Sequence, residues 1–227
     1  MNPLTMGFLP QNRSIPAIAF SAKPRDRRPM TSYLHEDRLH AVLKAIRACG
    51  AARVLDLGCG DGDLFVRLAA MPELTELVGL DICTASLDRL RARLQRTEVQ
   101  AGKIDVRHAS MTDPSRDLAG YDCAVLLETI EHIDPGDLSR LERALFSVLR
   151  AQTIIITTPN AEFNPLLGVP SHRMRHPDHR FEWDRARFRA WCGRAAKAAG
   201  YTAAFHDIAG AHPVLGGASQ MAVFTRL

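Results

Sequence analysis

No apolar run in this 227-residue chain is long enough to cross a bilayer, so a membrane-spanning helix is not expected. There is no Cys-x-x-Cys pair either. The five cysteines, Cys49, Cys59, Cys83, Cys123 and Cys192, are dispersed and odd in number, and four lie in apolar or strand-like surroundings. Buried thiols in a reducing compartment, the cytoplasm, account for them most simply. Residues 1–29 lack the uninterrupted apolar core of a secretory signal and scatter Pro, Arg and Asn instead. Residues 1–30 therefore read as a flexible, mildly basic extension, and 31–227 as one domain. A strong charge excess is also missing. The formal net of +4 is too small to single out nucleic acid as a partner. The local distribution says more: Arg173 to Lys197 holds seven Arg and one Lys against Asp178, Glu182 and Asp184.

The Gly-x-Gly-x-x-Gly pattern of a dinucleotide fold is missing as well. In its place Arg53-Val54-Leu55-Asp56-Leu57 runs into Gly58-Cys59-Gly60-Asp61-Gly62, and an amphipathic segment follows. A parallel strand that turns sharply into a helix offers backbone N–H groups to a polar ligand. Glycine suits that turn because it tolerates positive φ and lets a ligand approach the chain. A second strand ends in Asp81, placed to accept from a nucleoside ribose. Asp56, Gly58, Gly60, Gly62 and Asp81 thus form a candidate site for an adenosyl nucleoside. The alternative is a glycine turn with no ligand.

The remaining pattern is a series of strand–helix units. Tyr33 to Cys49 has Leu34, Leu39, Val42, Leu43 and Ile46 at helical spacing, with Arg38, His40, Lys44 and Arg47 mostly facing elsewhere. Tyr33, His35 and Glu36 either line a cleft rim or belong to an ordinary cover helix. Further strands are expected at 77–80, 103–109, 121–127, 153–158, 202–208 and 220–225. Helices are expected near 84–97, after the Asp134-Pro135 cap, and over 181–200. Ser110 and Met111 follow the third strand and border the nucleoside base, Met111 by contact with adenine or as plain packing. Residues 160–179 lack periodicity and are long for a simple connection. The expected fold is α/β: a doubly wound, mostly parallel seven-stranded sheet with an antiparallel terminal hairpin, as one monomer.

Glu128-Thr129-Ile130-Glu131-His132 begins where the fourth strand runs out. Two carboxylates and an imidazole are costly to bury there without compensation. A divalent cation would compensate them, and His179 is the best further ligand among His172, His176 and His179. No His-Glu-x-x-His zinc helix is present. An acid/base pair and a solvated rim remain alternative accounts of the cluster.

Together with Thr158-Pro159-Asn160-Ala161-Glu162-Phe163-Asn164-Pro165-Leu166, Asp178-His179-Arg180-Phe181-Glu182-Trp183 and Ser219-Gln220-Met221-Ala222-Val223-Phe224, this motif resembles the small-RNA 3′-terminal ribose 2′-O-methyltransferases. The resemblance runs from about Thr31 to the C-terminus. It differs at the start of the domain, where Met30-Thr31-Ser32-Tyr33 stands in place of paired prolines and Gln-Arg-Tyr. It implies S-adenosylmethionine as methyl donor, and one divalent cation, Mn2+ or Mg2+ or another transition ion, on Glu128, Glu131, His132 and His179. The implied acceptor is a small RNA with free 2′,3′-hydroxyls, with room for a separate RNA-delivering or RNA-repair protein. Arg173, Arg175 and Arg180 are then candidate phosphate contacts. Phe181 and Trp183 are candidates either for the terminal base or for the core. A small-molecule O-methyltransferase and an inactive RNA-binding module are the competing functions.

Overall fold

The computed structural model describes residues 30–227, so the expected extension at 1–30 lies outside the described residues except for Met30, which begins a helix. Helix α1, Met30–Ala48, leads into β1, Arg53–Leu57, an interior strand of a seven-stranded sheet. Then follow α2 (Phe65–Ala69), β2 (Glu76–Asp81), α3 (Thr84–Leu94), β3 (Lys103–His108) and β4 (Cys123–Leu126). After them come α4 (Leu138–Arg143), β5 (Thr153–Pro159), α5 (Arg185–Ala199), β6 (Tyr201–Ile208) and β7 (Ser219–Arg226). The strand order is β3-β2-β1-β4-β5-β7-β6, the doubly wound arrangement expected. β1 to β5 are parallel, and β7 enters antiparallel between β5 and β6.

Alternation along the strands sorts the core into two layers. Leu55, Leu57, Ala124, Leu126, Ile154 and Ile156 pack with Leu141, Leu145, Phe188 and Trp191 from α4 and α5 and the segment after α4. Val54, Cys123, Val125 and Ile155 face the other way, against Leu39, Val42 and Ile46 of α1, Phe65 and Leu68 of α2, and Leu87 and Leu90 of α3. Because both faces are covered, β4 and β5 are buried at every residue, and the apolar runs Cys123–Leu126 and Ile154–Ile156 follow.

Some boundaries move for local reasons. Asp134 makes no side-chain capping bond; Pro135–Asp137 is a short 3-10 turn, and α4 begins at Leu138. That helix runs on as a π-helical turn over Ala144–Leu149. The last helix starts at Arg185 rather than Phe181, because the Asp184 side chain accepts from Arg187 N and caps it there. The preceding stretch is tied to β-structure instead: Trp183 O accepts from Ala161 N and from Gln220 Nε2. Three of the cysteines are buried, but Cys49 and Cys83 are exposed, so the expectation of buried thiols holds only for Cys59, Cys123 and Cys192. Among the described residues no helix is long and apolar enough to cross a membrane.

Candidate active site

The glycine turn sits at the carboxyl end of β1 and is bound to β2. Gly58 N and Cys59 N both donate to Leu80 O, at 2.7 and 3.0 Å. Gly58, Gly60 and Gly62 all have positive φ, but they are needed for different reasons. A Cβ at Gly58 would lie 2.4 Å from Thr129 Cγ2, and one at Gly62 would lie 2.3 Å from Leu90 Cδ1. At Gly60 there is open space. Thus Gly58 and Gly62 are set by protein packing, while Gly60 faces a cavity of about 220 Å3 lined by Asp56, Gly58, Gly60, Gly62, His35, Arg38 and Glu128 among others.

Asp81 closes the turn from β2. Its Oδ2 accepts from Gly60 N at 2.8 Å and its Oδ1 from Cys83 N at 2.7 Å. Each oxygen keeps a further lone pair for a ligand hydroxyl. Asp56 lies on the cavity floor, 2% exposed, with Oδ2 unpartnered. Burial, and then the Asp81 charge, push its carboxyl up to about 7. Asp81 stands behind the cavity wall rather than in it, and Ser110 and Met111 are not in the wall either. Ser110 Oγ bonds Thr112 Oγ1 at 2.9 Å, and Met111 packs against the core, its Cε 3.3 Å from where a Gly58 Cβ would sit.

The Glu128–His132 loop begins two residues after β4 and turns through a 3-10 segment, Ile130–His132. Glu131, His132 and His179 come together here, their ligand atoms all within 4.8 Å of one another. Glu131 is fully buried. Thr158 Oγ1 donates to its Oε2 at 3.0 Å, and its Oε1 has no partner. Burial, reinforced by Glu128, holds its carboxyl well above the usual carboxylate range. Burial and then His179 lower the His132 pKa. The two rings meet edge to face at 4.9 Å between centroids. These groups and His176 line a second cavity of about 340 Å3.

Glu128 stands apart from that trio. Its Oε2 pairs with the Arg38 guanidinium and accepts from Ser219 Oγ at 3.0 Å, so three of the four expected ligands are gathered and the fourth is engaged elsewhere. The sequence pattern missed Arg38 as a site residue. The signal was available: Leu34, Arg38, Val42 and Ile46 recur at four-residue spacing, which places Arg38 on the inward stripe. Glu182 was missed too. Its Oε1 lies 2.6 Å from His179 Nδ1 and orients that ring, while Asn164 Nδ2 and Arg175 N donate to the same carboxylate. Burial works against the Glu182 charge, but these hydrogen bonds hold its pKa below the usual range.

Several expected acceptor contacts have other duties. Phe181 and Trp183 are 8% and 4% exposed and stack on each other at 4.3 Å, within the core that includes Trp191. Of the two roles expected for these rings, packing in the core is the one their burial and contacts describe. Arg175 donates to Asn164 Oδ1, Ala218 O and Asn160 O, so its guanidinium anchors the loop instead of reaching a phosphate. Arg173 and Arg180 are exposed. His35 Nε2 lies 2.9 Å from Asp63 Oδ2 at the rim of the first cavity, whereas Glu36 binds Arg67 and joins α1 to α2. Tyr33 is exposed.

The strand order, the glycine turn and the acid ending β2 define a class I S-adenosylmethionine-dependent methyltransferase domain, and a model of the family described as "Methyltransferase domain" matches residues 54–152. The small RNA 2'-O-methyltransferase of Xenopus tropicalis is 35% identical over 208 residues, covering 85% of this chain and 55% of that protein. That of Mus musculus is 32% identical, covering 85% and 51%. The crystal structure of the methyltransferase domain of bacterial CtHen1-C is 35% identical with a TM-score of 0.76, covering 85% of this chain and 98% of that one. The chain belongs to the small RNA 2'-O-methyltransferase (Hen1) family. It spans about half the length of the curated relatives it matches.

Proposed function

We propose that this chain transfers a methyl group from S-adenosylmethionine to the 2′-hydroxyl of the 3′-terminal nucleotide of a small RNA, using one divalent cation. The observation that carries the reading is that the donor cavity and the Glu131–His132–His179 cavity share a wall, formed by Arg38 and Glu128. A methyl donor on one side is thereby set beside a polar, cation-seeking pocket on the other.

The residues suit both groups. The open face at Gly60, the Asp81 carboxylate and the unpartnered Asp56 Oδ2 suit a nucleoside with a charged methionine end. The unpartnered Glu131 Oε1 beside two imidazoles suits a cation, and the imidazoles favour Mn2+ or another transition ion over Mg2+. When bound, such an ion supplies Lewis acidity toward a ribose hydroxyl, a poor nucleophile at neutral pH. The protein's part is placement. Thr158 fixes one Glu131 oxygen, Glu182 fixes the His179 ring and leaves its other nitrogen for a ligand, and Glu128 is at hand from the shared wall. Exposed Arg173 and Arg180 serve the RNA backbone, which leaves sequence unread.

The test is transfer of a labelled methyl group, with Mn2+ present, to a short oligoribonucleotide and in parallel to a catechol. The RNA is expected to be labelled at its last nucleotide and to resist periodate oxidation followed by β-elimination. Labelling of the catechol alone would move the activity to small molecules.

A further inference from the structure

Arg38 stands where the two cavities meet. Its side chain and that of Glu128 are 20% and 15% exposed, and both line both cavities. The pair they form is incomplete. A guanidinium and a carboxylate at their best engage through two parallel N–H···O bonds. Here Arg38 Nη1 reaches Glu128 Oε2, while Arg38 Nε and Glu128 Oε1 are buried without a hydrogen-bond partner among the described residues. The neighbouring Glu131 Oε1 is likewise buried and unpartnered. The backbone adds a second irregularity. Glu128 has φ 49, a left-handed conformation that a non-glycine residue adopts at a cost, and its N–H is fixed to Thr157 Oγ1 at 2.9 Å. The strained main chain therefore holds the carboxylate at the wall, between the Arg38 guanidinium and the Glu131–His132–His179 cluster.

We propose that Arg38 is the exchangeable counter-ion of Glu128. It neutralises this carboxylate while the cluster is empty and releases it when a divalent cation draws Glu128 toward Glu131, His132 and His179. The inference rests on the metal reading above. Ion loading is then an exchange of one positive partner of Glu128 for another. Arg38 is a positioning residue in this scheme, and its removal makes the ion bind more tightly.

A double-mutant cycle on Mn2+ binding, followed by the electron paramagnetic resonance of free ion, tests this. R38M is expected to tighten Mn2+ about tenfold, a scale between those of exposed and buried ion pairs, once the guanidinium no longer competes. In the E128Q background the same change is expected to give less than about threefold, because only direct repulsion between guanidinium and ion remains. R38K, which keeps the competing charge, is expected to stay within about threefold of the parent. R38Q repeats the cycle should R38M not melt cooperatively. An equal gain in both backgrounds, or weaker binding in R38M, overturns the exchange. Absence of Mn2+ binding in every protein, parent included, overturns the metal reading and this inference with it.

Discussion

The two halves of the site are built in opposite ways. The donor side is mostly backbone: Gly58, Cys59 and Gly60 N–H groups are committed to Leu80 O and Asp81, and the Asp56 Oδ2 atom is the unpartnered carboxylate oxygen there. The ion side is side chains from distant stretches, with Glu131 bonded to Thr158, His179 to Glu182 and Glu128 to Arg38 and Ser219. It leaves a Glu128 oxygen and a Glu131 oxygen buried and unpartnered. A cradle made of main chain comes with the fold. A cluster of like charges is tolerated only because a ligand or a substitute cation offsets it.

That contrast is most sharply broken by crossing substitutions between the halves. H179A is expected to lower methyl transfer by on the order of a thousandfold, the scale of lost Lewis-acid assistance, and to abolish Mn2+ binding while leaving donor affinity unchanged. D81A should do the reverse: weaken S-adenosylmethionine by about tenfold or more, the scale of a hydrogen bond to a charged group, with Mn2+ affinity intact. Calorimetry with each ligand on each protein reads both. Loss of both ligands in either variant would show one collapsed site rather than two.

The orienting shell gives a smaller effect. E182Q keeps the shape of the side chain but weakens its hold on His179, and is expected to cost about 10-fold in Mn2+ affinity. Unchanged affinity would place Glu182 in the loop's architecture alone, through Asn164 and Arg175.

A further change concerns stability on the donor side and leaves both ligand sites out of the measurement. The folded pKa of Asp56, about 7, lies above the ordinary value of 3.8. Below about pH 4 both states are protonated and the group costs nothing. As pH rises toward 7 the unfolded chain ionises first, so stability falls, and above 7 the full cost persists. D56N removes it. Its advantage over the parent in chemical denaturation should grow from near zero at about pH 4 to a few kcal/mol at about pH 8. A difference independent of pH would show that Asp56 is already ionised in the folded protein.

The same contrast explains what could be read from the sequence. The donor turn is local: strand, alternate glycines and a second strand ending in Asp81 lie within thirty residues, and their order implies their geometry. Glu131, His132 and His179 were legible by residue type, since such groups beside an apolar strand need a common partner. Their supports were not, beyond the place of Arg38 on the inward stripe of α1. Arg38 and Glu128 are 90 positions apart, and no local pattern announces the pair. Charge counting also misled at 173–197, because composition does not say where a side chain ends. Arg175 turns inward to three loop acceptors, and Phe181 and Trp183 fill the core instead of a nucleotide pocket.

The acceptor side is tested most directly by the nature of the RNA end. One oligoribonucleotide is offered with labelled donor and Mn2+ in four forms, ending in 2′,3′-diol, 2′-deoxy, 3′-deoxy and 3′-phosphate. A cation cluster that handles the terminal ribose through both hydroxyls predicts that only the diol is a good acceptor. The 3′-deoxy and 3′-phosphate forms should fall by about a hundredfold in kcat/KM, although each keeps the 2′-hydroxyl that receives the methyl group. Equal labelling of the diol and the 3′-phosphate would contradict it.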